Sequence, residues 1–276
     1  MSYKTILVHV EKSRLGIACI EQAAHIAISQ QAHLVGAALT GLSQFIVQCA
    51  AMPPGVQALP DDLSFLTQGA NLALDQFDTL ASQAGVESYE RRLVDEEAGV
   101  GLALQARYSD LVVLGQHDPS AGGRADLAQY VMLHSARPVL MLPYAGQFER
   151  VGQRPLLAWD GSVEATRAIT AAIPLLRKAQ VVTLAVFNPS TQADVHGDQA
   201  GADIALFLAR HGVTVNVAQH QTELDIGNAL LSLAADLNAD LLVMGGYGHS
   251  RLREMVLGGV TRTVLASMTL PVLMAH

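Results

Sequence analysis

The chain has 276 residues, of which 50% are hydrophobic and 15% are charged, and its formal net charge is −8. This acidity argues against a nucleic-acid partner, because binding to a phosphate backbone requires a basic surface. Two cysteines, Cys19 and Cys49, are too few for a disulfide framework, and no cysteine–histidine cluster has the spacing of a zinc site. The length fits one large domain or two of ordinary size.

The first predicted element is a strand, Ile6 to Val10. This apolar run is too short for a signal peptide or a membrane span, which indicates a soluble protein of the reducing cytoplasm with no membrane partner. Further along, the segment 41–62 contains Pro53 and Pro54 and predicts a long loop, after which a helix resumes at Leu63. Two interpretations stay open for this segment: a surface elaboration, or a flap over a ligand or a dimer contact.

The second half alternates strands with helices. Predicted strands cover 155–160, 181–187, 213–219, 240–245 and 271–275, and predicted helices cover 162–178, 197–212, 225–238 and 259–268. The 3-and-4 spacing of a stripe that faces a core is present at Ile169, Ala172, Ile173 and Leu176. Pro174 predicts a kink near the end of that helix. The alternation predicts an α/β fold with a parallel sheet, whose ligands bind beyond the carboxyl ends of the strands at the topological switch point.

The same unit occurs twice along the chain. Three pairs of segments match: Thr5–Ser13 with Arg154–Ser162, Asp110–Gly115 with Asp240–Gly245, and Arg137–Met141 with Leu270–Met274. The first pair is in each case a strand that ends in an acidic residue and a serine. A polar stretch with two glycines, 144–153, separates the copies and is typical of a linker. The sequence therefore predicts two domains, residues 1–146 and residues 152–276.

A glycine-rich segment follows the predicted strand 240–245. Gly245, Gly248 and Gly258 have the spacing Gly-x2-Gly-x9-Gly, and Gly259 opens a predicted helix. Glycine at the end of a strand lets a ligand approach the backbone closely. Free N–H groups at the N-terminus of a helix bind anions. The strand, the glycine turn and the helix together predict a cradle for a nucleotide phosphate.

This glycine spacing, between the strand 240–245 and the closing strand 271–275, resembles the ATP-binding signature of the universal stress protein family. The resemblance covers almost the whole chain, as two fused Rossmann-like domains similar to the adenine nucleotide alpha hydrolases, each with a five-stranded parallel sheet and helices on both faces. It implies ATP as the ligand of the C-terminal domain, with Mg²⁺ left open. It also implies a role in stress adaptation through an unidentified protein partner or a conformational switch, an internal pseudo-dimer of the two domains, and an optional homodimer.

The resemblance also assigns nucleotide contacts to individual residues. The expected set is Ala158, Asp160, Val186, Met244, Gly245, Gly248, His249, Ser250, Gly258, Gly259, Val260 and Thr261. The family usually has Ser or Thr where this chain has Gly259, so the hydroxyl of Thr261 is the expected substitute. Asp160 is expected beside ribose or adenine, and Val186 and Met244 beside adenine. Structural interpretations stay open for each: a helix N-terminal acid for Asp160, core residues for Val186 and Met244, and a helix N-cap for Ser250.

The first copy of the glycine motif is incomplete. Gly115 is present, but Asp118 and Ala128 take the positions of the second and third glycines. The segment from Gly115 to Pro138 is also shorter than its counterpart in the second half. A carboxylate at Asp118 repels a phosphate. The sequence therefore predicts a degenerate first domain and one ATP per chain.

The sequence contains no P-loop, no dinucleotide-binding glycine fingerprint, no nucleophile elbow and no His-Glu-x-x-His motif. His9, within a predicted strand, and His117, beside the incomplete motif, are interpreted as structural. No catalytic residue and no metal ligand is predicted. Three functions stay open: a nucleotide-binding regulatory module, which we favour; a slow ATP hydrolase; and a stress-related interaction protein that binds no nucleotide, for which the departure at Gly259 is the argument.

Overall fold

The computed structural model describes residues 2–43, 45–46, 60–120, 125–189, 199–247 and 259–276. The chain divides into two compact units, Ser2–Tyr144 and Ala145–His276. The division falls inside the stretch 144–153 that the sequence indicates as a linker. The described residues of each unit form five strands, and every strand pair described within a unit is parallel. The predicted α/β fold with two similar domains is confirmed.

In the first unit, helices follow the strands in regular alternation. The strands are β1 (Thr5–His9), β2 (His33–Leu39), β3 (Tyr89–Val94), β4 (Leu111–Gly115) and β5 (Val139–Leu142), and the helices are α1 (Arg14–Gln30), α2 (Pro60–Ala84), α3 (Ala98–Ala106) and α4 (Leu127–Ser135). The strand order is β3-β2-β1-β4-β5. Strand β1 lies between β2 and β4, with Ile6 opposite both Leu34 and Leu111. All three side chains are fully buried, as expected for a parallel sheet that is covered on both faces.

Helix α2 packs closely against β2 in the core of the first unit. The ring of Phe77 is fully buried and packs over Gly36, where an added Cβ would lie 2.7 Å from the ring carbons. Tyr89 of β3 meets the same ring edge to face, with the centroids 5.9 Å apart. Only glycine fits below this ring, so the strand and the helix pack closely at this point.

The second unit repeats this arrangement. Its strands are β6 (Pro155–Ala158), β7 (Val182–Phe187), β8 (Val215–His220), β9 (Leu241–Gly245) and β10 (Val272–Ala275), and its helices are α5 (Val163–Leu176), α6 (Ala202–Arg210), α7 (Ile226–Asp236) and α8 (Val260–Ser267). The strand order is β8-β7-β6-β9-β10. Strand β6 therefore has β7 on one side and β9 on the other, and the topological switch point lies between β6 and β9. The predicted core stripe of α5 is buried at all four positions.

Both units begin their first helix in the same way. Ser13 caps α1, because its Oγ accepts from the N–H of Gly16 at 2.8 Å and donates to Glu11 Oε1 at 2.7 Å. Ser162 caps α5 in the same geometry: its Oγ accepts from the N–H of Ala165 at 3.1 Å and donates to Asp160 Oδ1 at 2.6 Å. In both copies, the serine thus caps the first helix and the acidic residue accepts a hydrogen bond from that serine.

Some predicted boundaries differ from the observed ones. Helix α2 begins at Pro60, so the last residues of the predicted loop 41–62 are helical, and residues 44 and 47–59 lie outside the described residues. Pro174 lies inside α5, which ends at Leu176, and the predicted kink stays a prediction. Within the described ranges, no helix is long and apolar enough to span a bilayer, and no group of three metal-ligating side chains is found.

Candidate functional site

The predicted site lies at the carboxyl ends of β6 and β9, which are neighbours in the sheet. Leu156 is opposite Leu242 and Leu157 is opposite Val243, so both strands end at the same edge. Ala158 closes β6 and is half-buried. The segment that carries Asp160 and the segment that starts at Gly245 therefore leave the sheet side by side, as the sequence predicts.

Gly245 is in contact with the start of α5. An added Cβ on Gly245 would lie 2.6 Å from the backbone N of Ala165 and 2.8 Å from the carbonyl carbon of Glu164. Gly115 has the same position in the first unit, where an added Cβ would lie 2.6 Å from Leu15 Cγ on α1. At both positions, the glycine therefore lets a helix approach the end of the strand closely. The predicted contact between Gly245 and a nucleotide stays a prediction. Helix packing also explains why Gly115 is present in a copy that lacks the other glycines.

Hydrogen bonds hold the two residues that follow Gly245, namely Gly246 and Tyr247. The N–H of Gly246 donates to the carbonyl of Ala275 at 2.9 Å, and Nδ1 of His276 lies 3.0 Å from the carbonyl of Gly246. Tyr247 has a left-handed backbone, with φ of 58°, and its N–H donates to Thr261 Oγ1 at 3.1 Å. These bonds tie the beginning of the glycine-rich segment to the end of β10 and to the first turn of α8.

Helix α8 begins at a glycine N-cap on this edge of the sheet. Gly259 is exposed and extended, with φ of −63° and ψ of 177°, and its carbonyl accepts from the N–H groups of Arg262 and Thr263. The first N–H groups of any helix have no acceptor within the helix, and they carry a partial positive charge. Helix α7 supports this turn, since an added Cβ on Gly227 would lie 2.7 Å from Thr263 Cβ. The start of α8 is therefore fixed in place and carries no capping side chain.

Thr261, the expected replacement for the missing family hydroxyl, is only 6% exposed. Its Oγ1 accepts a hydrogen bond from the N–H of Tyr247 and so links the start of α8 to the segment after β9. Val260 is half-buried in the same turn. A phosphate contact through the hydroxyl of Thr261 stays a prediction, whereas the backbone N–H groups of this turn lie at the helix start as expected.

Asp160 is exposed, and its carboxylate is fixed by the residue that caps α5. Oδ1 accepts from the N–H of Ser162 at 3.0 Å and from its Oγ at 2.6 Å. This is the structural interpretation that the sequence leaves open, namely an acid at the start of a helix. Contact with ribose or adenine is compatible with it and stays a prediction.

The expected adenine neighbours are core residues. Val186 has no exposed surface and Met244 is 4% exposed. Val186 faces the start of α6, because an added Cβ on Gly201 would lie 3.3 Å from Val186 Cγ2. The remaining expected contacts, Gly248, His249, Ser250 and Gly258, lie outside the described residues, as does the helical turn predicted after Ser250.

The corresponding edge of the first unit is built differently. Gln116, in the position of Gly246, is 8% exposed; its N–H donates to the carbonyl of Leu142 at 2.7 Å, and its Oε1 accepts from the N–H of Tyr144 at 3.1 Å. Asp118 Oδ1 accepts from the N–H and the Oγ of Ser120, at 2.8 Å and 2.7 Å. In the first unit, β4 is therefore followed by the buried amide of Gln116 and by a turn closed by the carboxylate of Asp118. The second unit has glycines at these two positions.

The structure reveals a second acid in the first unit that the sequence analysis missed. Asp126 is the N-cap of α4 and is exposed. It takes the position of Gly259 when residues are counted backwards from Pro138 and Pro271. Counting forwards from Gly115 gives Ala128, which lies inside α4, because the loop of the first unit is shorter. A carboxylate thus stands at the helix start where the second unit has no side chain.

Burial suppresses the charged forms of two titratable groups in the first unit, His9 and Cys19. Burial lowers the pKa of His9, against an opposing effect of Glu11, so the imidazole at the end of β1 is neutral at pH 7. Burial, with a smaller contribution from Glu11, raises the pKa of the Cys19 thiol well above its usual range. His117 is half-buried after β4. Neither a protonated imidazole at His9 nor a thiolate at Cys19 is available near neutral pH.

Comparison with known proteins agrees with this description. The model of the universal stress protein family matches residues 153–276. Universal stress protein Slr1230 of Synechocystis sp. is 28% identical over 225 residues, which cover 75% of this chain and 71% of that protein. A universal stress protein from Archaeoglobus fulgidus matches 98% of this chain with 94% of its own, at a TM-score of 0.75 and 16% identity, which shows a shared fold.

The sheet order, the repeated unit and these matches define a universal stress protein fold present twice. The sequence match to the universal stress protein family lies in the second unit, and the relative Slr1230 extends the similarity over 225 residues. Two single-domain members have been solved with nucleotides, one with cAMP and one from Archaeoglobus fulgidus with dAMP. Each covers 51% of this chain, at TM-scores of 0.37 and 0.36, and these likenesses carry no weight for the ligand of this chain.

The contact between Gly245 and α5 can be tested by adding one methyl group. Gly245→Ala should destabilise the second unit by about 1–3 kcal/mol, because the nearest atoms belong to backbone and cannot move aside as a flexible side chain can. Urea unfolding followed by circular dichroism measures the change. The control is Gly69→Ala in α2, where nothing lies within 4 Å of the added Cβ. This control should be neutral or stabilising, since alanine favours a helix over glycine. Equal stability of both variants would contradict the packing role of Gly245.

Proposed function

We propose that the second unit binds ATP at the carboxyl ends of β6 and β9, and that the protein acts as a nucleotide-dependent regulatory module in stress adaptation. The observation that carries this proposal is the start of α8 at the topological switch point, where Gly259 provides the N-cap without a side chain. A helix start of this kind attracts a phosphate through its N–H groups and its dipole.

Two neighbouring features support a nucleotide over a simple anion. The carboxylate of Asp160 is held at the end of β6 by Ser162, and a carboxylate accepts hydrogen bonds from ribose hydroxyls. On this edge of the sheet, the start of α8 therefore favours a negatively charged group, whereas the carboxylate of Asp160 favours a hydrogen-bond donor. The phosphates belong at α8, and the neutral sugar and base belong toward β6 and β7.

The first unit also has an acid beside its first helix cap, Glu11, but it differs at the start of its last helix. Asp126 at the start of α4 and Asp118 after β4 place two carboxylates where the phosphates of a second nucleotide would lie. Repulsion between like charges at short range opposes binding there. We therefore propose one nucleotide site per chain, with the first unit as a degenerate copy.

Two other functions are kept as alternatives. A slow ATP hydrolase would use the same site, and Mg²⁺ would then be bound mainly by the phosphates, as is usual for this ion. An interaction protein that binds no nucleotide would leave the start of α8 without a ligand. The three experiments below distinguish these functions.

The stoichiometry of binding tests the asymmetry of the two units. Isothermal titration of nucleotide-stripped protein with ATP should saturate at one equivalent per chain. Trp159 is the single tryptophan of the chain and precedes Asp160, so its fluorescence should change over the same titration. Two equivalents of similar affinity would contradict the degenerate first unit, and no binding at all would favour the interaction protein.

Charge at Gly259 tests the phosphate position. Gly259→Asp introduces a good N-cap and a negative charge, whereas Gly259→Ser introduces a good N-cap without charge. The extended backbone of Gly259 accommodates either residue. The aspartate should weaken ATP binding by about tenfold or more, since it repels the phosphate and competes for the same N–H groups. The serine should bind ATP at least as well as the original protein does.

The matched serine variant separates charge from helix stability, because both substitutions should leave thermal stability unchanged or slightly higher. Equal ATP affinities for the two variants would place the phosphates elsewhere. Gly258→Val should also weaken ATP binding if the backbone of residue 258 faces the phosphate.

Turnover tests the hydrolase alternative. We expect hydrolysis of ATP at or below the low end of enzyme rates, since the carboxylate of Asp160 is bound to the residue that caps α5 and no general base is identified among the described residues. Phosphate release is measured with and without Mg²⁺, and the Gly259→Asp protein, purified identically, controls for contaminating ATPases. Rapid Mg²⁺-dependent hydrolysis that the Gly259→Asp and Gly248→Val proteins both lack would establish an enzyme instead.

A further inference from the structure

Three exposed apolar side chains lie in a row along α3. Val100 is 38% exposed, Leu104 is 42% exposed and Tyr108 is 78% exposed. They are four residues apart, a spacing that places side chains on one side of a helix. Tyr108 follows the helix in its closing turn, where its N–H donates to the carbonyl of Gln105 at 3.2 Å. We call these three residues the α3 stripe.

The second unit shows that the fold does not require this stripe. The N-caps Glu97 of α3 and Asp225 of α7 correspond to each other in the repeat. Counted from these caps, the stripe positions of the second unit are Asn228, Ser232 and Asp236, all polar and all exposed. Single exposed apolar residues are ordinary, but a contiguous row that replaces a polar one marks a surface that is covered by something.

Charged groups bracket the stripe at its two ends. At the Val100 end, Glu97 Oε2 accepts from the N–H of Val100 at 3.2 Å, which fixes the carboxylate there. At the Tyr108 end, Arg137 donates from its guanidinium to the carbonyl of Arg107 at 2.9 Å. The row between them is about 12 Å long, given the rise per residue of a helix. The surface is thus acidic at one end, apolar in the middle and basic at the other end.

We propose that the α3 stripe is an interface between two copies of this chain, with the two helices antiparallel about a two-fold axis at Leu104. A two-fold interface uses the same patch on both copies and must therefore be self-complementary. The antiparallel arrangement places Val100 of one copy against the other copy's tyrosine at the far end of the row. It also places the carboxylate of Glu97 against the guanidinium of Arg137 at both ends. A ridge of residues four apart is the usual surface for such helix packing.

The size of the stripe sets the strength of this dimer. A standard stable interface uses about 20–30 residues on each side, and the α3 stripe with its charged ends is much smaller. The dimer is therefore weak and dependent on concentration. The α3 stripe belongs to the first unit and the candidate nucleotide site to the second, so no residue of the stripe takes part in that site.

The test is sedimentation velocity of the full chain between about 1 μM and about 500 μM, a range that brackets weak interfaces of this size. The key variant transfers the polar row of the second unit onto the first: Val100→Asn, Leu104→Ser and Tyr108→Asp together. The control variant carries Leu206→Ser and Leu224→Ser, two exposed apolar residues of the second unit. The triple variant should raise the dissociation constant of the dimer by about tenfold or more, and the control should leave it unchanged.

Chemical cross-linking tests the position of the two-fold axis. In a Cys49→Ser background, where Cys19 is 1% exposed, Leu104→Cys should be joined into dimers by a short bis-maleimide. Leu206→Cys is the matched control and should stay monomeric under the same conditions. Arg137→Glu should weaken the dimer, because it places two carboxylates together at each end of the row.

Melting curves confirm that each variant is folded before it is scored. A wild-type protein that stays monomeric over the whole concentration range overturns the proposal. A dimer that the triple variant leaves unchanged, or that Leu206→Cys captures as well as Leu104→Cys, places the interface elsewhere and overturns it equally.

Discussion

The contact between a strand end and a helix start holds each unit of this protein together at the carboxyl edge of its sheet. Gly245 ends β9, and the backbone of Glu164 and Ala165 lies where its side chain would be. This contact sets the distance between β9 and α5, and with it the separation of Asp160 from the segment that leads to α8. Gly115 and Leu15 make the equivalent contact in the first unit. Because the contact belongs to the fold, it persists whether or not a unit binds a ligand.

The two units illustrate how one architecture diverges after duplication. Their sheets, strand orders and first helix caps agree, yet the last helix of each unit begins differently. Helix α8 starts at Gly259, which leaves the helix start open, whereas α4 starts at Asp126, which adds a negative charge there. A single N-cap residue is exposed and adds little to the core, so it can change without loss of the fold. The electrostatic consequence is that an aspartate adds a negative charge to a helix start whose dipole otherwise favours an anion.

The outer surfaces of the units diverge in the same way. Leu104 and Ser232 hold corresponding positions on α3 and α7, and both are exposed. Their buried neighbours on the two helices are retained as apolar residues, for example Leu102 and Leu230. The buried face is constrained by packing and the exposed face is not, so the exposed face can differ between the units without loss of the fold.

The sequence by itself determined the α/β class, the two copies, the buried strands and the resemblance to a family. Runs such as Leu241 to Met244 are continuous and apolar because parallel strands are buried on both faces, and this pattern is local enough to recognise without coordinates. The glycine-started helix α8 was predictable for the same reason, since a helix start depends on a few adjacent residues. The tertiary structure decided what those residues contact. The contact of Gly245 with α5 and the hydrogen bond from Tyr247 to Thr261 join segments that are far apart in the chain. The match of Asp126 with Gly259 is hidden in the sequence because the loop before α4 is shorter than the loop before α8. Such contacts arise only when the sheet brings distant segments to one edge, and no local pattern encodes them.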